Sequence, residues 1–166
     1  MPANYFKVSI RKYPSLKLVG VSVPTDMSKA AADCPNLWEK VFVPRMGEIS
    51  GKASGEFQGP SYGLSVCTDP ESGAFTYWAA LPVPDGLVLP KDMNIVEVPA
   101  GTYAYCHVPS LNKLASAYRT MYTVWGPSSR EYALNLQVPC FEVYDKAFHE
   151  SGELGLYIPV TAKPTS

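Results

Sequence analysis

Residues 14–24 read PSLKLVGVSVP and residues 99–109 read PAGTYAYCHVP. Both are eleven-residue stretches bounded by prolines, with strand-like middles rich in β-branched or aromatic residues. They lie 85 positions apart. Each is followed by a helical pattern and then by two further strand patterns, at 62–67 and 74–83 in the first half and at 140–145 and 154–160 in the second. The second strand pair carries a Ser-Gly turn in both halves, Ser72-Gly73 and Ser151-Gly152. It closes on Pro-Val both times, at Pro82-Val83 and Pro159-Val160. Shared order and spacing point to a duplicated β-α-β-β unit.

The helical segments fit that unit. After Pro109, Ser110 is placed to cap a helix. Leu111, Leu114, Ala115, Tyr118, Met121, Tyr122 and Trp125 then form one apolar stripe, which Gly126-Pro127 is expected to end. In the first half, Thr25 can cap a run bearing Met27, Ala30, Ala31, Cys34, Leu37, Trp38 and Val41 on one face. Pro35 interrupts this run and lacks an amide donor, so a break or kink is expected near Cys34. Residues 47–61, rich in Gly, Ser and Lys, read as a flexible loop. Each half buries one sheet face against its own helix, and the other faces are left to meet each other.

Composition narrows the function. The 166 residues hold 14 basic and 15 acidic side chains, a net charge of -1. A nucleic-acid binder needs a basic surplus to neutralise phosphates, and none exists here. Charged residues are 17% and apolar ones 46%, the profile of a folded globule. The unusual totals are 11 Tyr, 6 Phe and 3 Trp, with 16 Pro. The N-terminus lacks the apolar core of a secretory signal, and no apolar run reaches the ~18 residues of a membrane span. Cys34, Cys67, Cys106 and Cys140 have no close partner of the kind zinc sites and redox motifs require. The expectation is a cytoplasmic protein with reduced thiols, no metal and no cofactor.

Several stretches carry a family resemblance: LWEKVFVPR (37–45), FTYWAALPV (75–83), Pro-Ala-Gly-Thr-Tyr (99–103), YTVW (122–125), FEVYD (141–145) and LGLYIPV (154–160). In that order they resemble the GyrI-like, AraC/MerR-type effector-binding domain, and within it the stand-alone integron-cassette group. The likeness runs from about Val8 to Val160. It implies an α+β fold in which two β-α-β-β units, related by a pseudo-twofold axis, form a curved antiparallel sheet with two helices and a central ligand cleft. A single domain over residues 1–166 is expected, with halves at about 5–85 and 93–162. Fused relatives add a helix-turn-helix domain. This chain has neither the room nor the charge for one, so promoter regulation by this polypeptide alone is not expected.

Glu142 is the leading site candidate. Its strand alternates Phe141 and Val143 on one face with Glu142 and Tyr144 on the other. An ionised carboxylate buried there costs several kcal/mol unless it is paired, hydrogen-bonded or protonated. The resemblance places a pocket glutamate at this position of the F-E-x-Y motif. It also places a pocket tyrosine fifteen residues further on, at Tyr157. Tyr118 and Tyr122 share the second helix stripe, Tyr77 lies near the repeat counterpart of Tyr157, and Trp38 and Trp125 mark corresponding helix ends. Tyr103 and Tyr144 complete the candidate ligand-binding set of Glu142, Tyr144, Tyr157, Tyr118, Tyr122, Tyr77, Trp38 and Tyr103. Trp78 and Trp125 read as core. A buried hydroxyl needs a partner, so many tyrosines at one cleft read as a partly wet pocket.

A ring cage with one carboxylate suits a flat, lipophilic cation, each ring contact contributing ~0.5–2 kcal/mol. The primary expectation is therefore a non-catalytic binder of amphipathic, cationic small molecules, tolerant of ligand shape. A second reading follows from relatives that open cyclopropane rings: a hydrolase with Glu142 as general base and Tyr157 or Tyr77 as proton donor. A third is an inhibitor of a protein partner, and haem-binding proteins of similar duplicated fold add a further option. His107 shares a strand face with Tyr103 and Tyr105 and reads as a satisfied strand histidine. His149 reads as part of a polar loop. No nucleophile-base pair, phosphate loop or paired carboxylates appear.

Overall fold

The computed structural model describes residues 6–51 and 59–164. Strand β1 (Val8–Tyr13) turns through Pro14 and Ser15 into β2 (Leu16–Thr25). Helix α1 (Ala30–Asn36) continues without interruption into a π-helical stretch, Leu37–Phe42, a 3-10 turn at Val43–Arg45, and the short helix α2 (Gly47–Ser50). The hairpin β3 (Ser61–Asp69) and β4 (Ala74–Pro82) completes the first unit, with Gly73 supplying the positive φ of 79° its turn requires. The second unit repeats the order with β5 (Asn94–Val98), β6 (Gly101–Val108), a 3-10 turn at Leu111–Lys113, α3 (Leu114–Thr120) and a π-helical stretch, Met121–Trp125. It ends with α4 (Gly126–Ser128), β7 (Tyr132–Leu134), β8 (Cys140–Tyr144), α5 (Lys146–Ser151) and β9 (Leu154–Ala162).

All sheet pairings are antiparallel, in the order β1-β6-β9-β8-β3-β4-β2-β5, with β7 added to β9. Exchanging β1 with β5, β2 with β6, β3 with β8 and β4 with β9 reverses this order into itself, so the sheet has an internal twofold. The two outer strands are swapped between units: β1 pairs with β6, and β5 pairs with β2. Two-residue links join each outer strand to its own unit at the far end of the sheet. The sheet must therefore curl until its two ends lie side by side.

Burial confirms the curl. One cluster unites Leu18 of β2, Leu64 of β3, Val98 of β5, Tyr103 of β6 and Phe141 of β8, which only an enclosed inner face can do. On the outer face, Val19, Val21 and Leu81 of the sheet pack against Leu37 and Phe42 of the first helical run. Cys106, Leu156 and Ile158 pack against Ala117 and Met121 of the second, and Trp38 touches both outer clusters.

The axis can be located from register. Aligning Pro82-Val83 with Pro159-Val160 makes Ala79 the counterpart of Leu156. Ala79 pairs with Gly63, and Leu156 pairs with Glu142, so Gly63 and Glu142 are counterparts. They also face each other across the β3–β8 seam, flanked evenly by Ser61↔Tyr144 and Ser65↔Cys140. The pseudo-twofold axis passes through the Gly63–Glu142 pair.

Some local expectations are corrected. Pro35 lies inside α1 without ending it, and the winding widens from α to π two residues later, at Leu37. Thr25 ends β2 rather than capping the helix. Asp26 takes that place, accepting from the amides of Ser28 and Lys29 at 2.9 and 3.1 Å, while the Thr25 hydroxyl donates to Asp33 at 2.8 Å. Gly126-Pro127 carries one more helical turn before the chain becomes extended at Ser129, since proline is tolerated in a first turn. Ser110 has the extended backbone of a cap, but its hydroxyl bonds to the Asn112 side chain. His149 belongs to α5, whose cap is Asp145, and not to a loop. Within the expected 47–61 loop, Gly47–Ser50 is helical, and 52–58 lie outside the described residues.

Candidate functional site

Glu142 sits on the outer face of β8, beneath the meeting of the two helical runs, and is 2% exposed. Strand alternation sets that face: Cys140 and Tyr144 share it, whereas Phe141 and Val143 point into the curl. Three phenols converge on the carboxylate. Tyr77 of β4 and Tyr144 donate to Oε1 at 3.1 and 2.5 Å, and Tyr118 of α3 donates to Oε2 at 2.5 Å. Trp38, from the first π-helical stretch, donates its indole N–H to the Tyr77 oxygen at 2.9 Å and packs edge-on against Tyr144 at 5.5 Å. Tyr122 stacks with Tyr118 at 6.4 Å and reaches the Cys140 sulfur at 3.5 Å. Cys34 of α1 packs in the same layer, near enough to feel the Glu142 charge.

Gly63 makes this arrangement possible. A Cβ there would stand 2.2 Å from the Tyr77 hydroxyl and 2.6 Å from Glu142 Oε1. One counterpart on the axis carries the carboxylate, and the other must carry no side chain.

The electrostatics are those of an acid deprived of both water and countercharge. Burial pushes the Glu142 carboxyl above its ordinary range, outweighing the three phenol hydrogen bonds that favour its anion. Burial, and then the Glu142 charge, hold Tyr77, Tyr118 and Tyr144 well above the usual phenol range. The same two causes push the Cys34 thiol up to about 12, which makes it a poor nucleophile. Among the described residues no lysine, arginine or histidine forms an ion pair or hydrogen bond with Glu142. Nor does any group of three potential metal-ligating residues occur among them.

The sheet divides the expected tyrosine set in two. Glu142, Tyr77, Tyr118, Tyr122, Tyr144 and Trp38 are brought together on the outer face. Tyr157 and Tyr103 are not. They lie inside the curl with Phe141, whose ring stacks on Tyr157 at 5.1 Å and meets Tyr103 edge-on at 5.2 Å. Register explains this: Glu142 pairs with Leu156, and Phe141 pairs with Tyr157. A fifteen-residue spacing in sequence cannot reveal that parity, because α5 and its turn intervene. The pairing of Glu142 with Tyr157 as base and proton donor is therefore not formed, although Tyr77 is in place. The repeat counterpart of Tyr157 is Ala80, not Tyr77, and both occupy the inner face. Trp38 and Trp125 also differ in place, being the second and the last residues of their π-helical stretches. His107 is satisfied on its strand, 2.7 Å from Glu153. Sequence reasoning passed over Gly63, and only the repeat counterpart of Glu142 could have signalled it.

A twofold pair of β-α-β-β units curled into one antiparallel sheet is the fold that this chain shares with small-molecule binding domains. The chain belongs to the GyrI-like small molecule binding domain family, which matches residues 6–161. It is 32% identical over 130 residues to the transcriptional regulator BrlR of Pseudomonas aeruginosa, a match spanning 75% of this chain and 45% of that protein. The chain thus spans under half the length of this relative. An integron cassette protein from the mobile metagenome of Vibrio cholerae has the same fold, with a TM-score of 0.67 at 18% identity, over 95% of this chain and 98% of that one. So does SAV2435, solved bound to tetraphenylphosphonium, with a TM-score of 0.68 at 15% identity, over 93% of this chain and 94% of that one. No described helix is long and apolar enough to cross a membrane.

Proposed function

We propose that this chain captures an amphipathic organic cation at Glu142 without transforming it, and that the whole chain acts as one binding unit of two halves. The observation that carries the reading is a fully buried carboxylate with aromatic neighbours and, among the described residues, no basic partner. A cationic ligand supplies the missing charge, and the faces of Trp38, Tyr118 and Tyr144 supply cation–π contacts of ~0.5–2 kcal/mol each. Tyr118 and Trp38 cover the carboxylate from the two helical runs, so entry requires those runs to part. That SAV2435 holds a phosphonium cation on a similar fold agrees with this reading.

Titration with tetraphenylphosphonium tests it. Glu142→Gln keeps the size of the side chain and removes its charge, and it should weaken binding about tenfold or more, equal to ~1.4 kcal/mol. Equal affinity in both proteins, or no binding by the wild type, contradicts the proposal.

A further inference from the structure

We propose that the site exchanges a proton for its ligand: Glu142 holds a carboxyl proton while the site is empty, and gives it up as an organic cation settles against it. This rests on the reading of Glu142 as the ligand-binding acid. Atom balance is simple. The O–H bond of Glu142 breaks, the proton passes to solvent, and the ligand's positive charge replaces it beside the carboxylate.

The geometry leads there. The groups facing Glu142 are Tyr77 from β4, Tyr118 from α3, Tyr144 and Cys140 from β8, and Cys34 from α1, with Gly63 opposite on β3. All are neutral in their ordinary protonated forms, and none supplies a positive charge. An ionised carboxylate in this layer has only hydroxyl dipoles to offset its lost hydration. Burial outweighs those dipoles, which agrees with a proton held in the closed site. The protonated form fits the observed contacts. With the proton on Oε2 the bond to Tyr118 reverses direction, because a phenol oxygen accepts as well as donates. A ligand with a fixed positive charge inverts the balance, since its field favours the ionised form.

Tetraphenylphosphonium is the suitable probe because it cannot itself gain or lose a proton. Calorimetric titration of the wild type from about pH 5 to about pH 8, in buffers of different ionisation enthalpy, should show close to one proton released per cation bound below the Glu142 titration, declining toward none above it. Affinity should weaken about tenfold per pH unit as the pH falls below the Glu142 titration of the empty site. The Glu142 carboxyl carbon, followed by NMR at a pH where the empty site holds the proton, should move from the protonated to the ionised position on adding the probe. Binding that is independent of pH and of buffer overturns this inference and leaves the proposed function standing. Absence of binding at every pH overturns both. A Glu142→Gln protein that still binds weakly and still releases a proton also overturns it, because the proton then comes from elsewhere.

Discussion

At Gly63 and Glu142 the pseudo-twofold axis asks two counterpart residues to occupy one place, and chain chemistry resolves this by giving one of them no side chain. With Cβ clearances of 2.2 Å to Tyr77 Oη and 2.6 Å to Glu142 Oε1, Gly63→Ala must displace the buried hydrogen-bond cluster. We expect it to lower stability by roughly 1–3 kcal/mol, read from urea unfolding. Adding Tyr77→Phe removes the nearer obstructing atom and should restore part of the loss. Additive effects in the double-mutant cycle would contradict the steric account. Glu142 itself makes stability depend on pH. Its folded-state pKa is raised above the ordinary value of 4.5, so the native state holds the proton that the unfolded chain gives up. Stability is then greatest below the unfolded pKa and falls as pH rises through the raised folded one. Glu142→Gln should flatten that decline in pH-dependent unfolding. An unchanged slope would show that Glu142 does not cause it.

At the scale of elements, both helical runs change from α to π winding over the site, at Leu37 and at Met121. The change places Trp38 and Tyr122 near Glu142, each a residue after a fully packed anchor, Leu37 or Met121. Alternation and helical stripes were legible in the sequence, and all six strands of the repeat appear where expected. The π winding was not, because a short stretch of wider winding leaves the apolar spacing nearly intact. Strands β1, β5 and β7 were also missed, since β1 and β5 are mostly exposed and β7, half-buried, is only three residues long. The first helical run is tied to its sheet by Thr25, whose hydroxyl bonds Asp33 from a nearly buried position. Thr25→Val should cost about 0.5–1.5 kcal/mol, measurable by thermal unfolding. A neutral result would mean that the link is replaced by water.

For the molecule as a whole, the swapped outer strands should bind the halves into one cooperative unit. The β3–β8 seam joins them at the centre, while β1 on β6 and β5 on β2 join them at the ends. Far-ultraviolet and near-ultraviolet circular dichroism should therefore report coincident unfolding transitions. Separate transitions for the two halves would contradict this coupling. The amino-acid sequence by itself determined the duplication, the strand–helix order and the alternation that sets Glu142 against Phe141, because these follow from local periodicity. Only the tertiary structure decided which tyrosines meet the acid. That choice depends on register between strands distant in the chain, and a shift of one residue exchanges the faces of the sheet. The low net charge and the many tyrosines thus resolve into two layers. An aromatic core fills the curl, and a phenol cage closes over one acid on the axis.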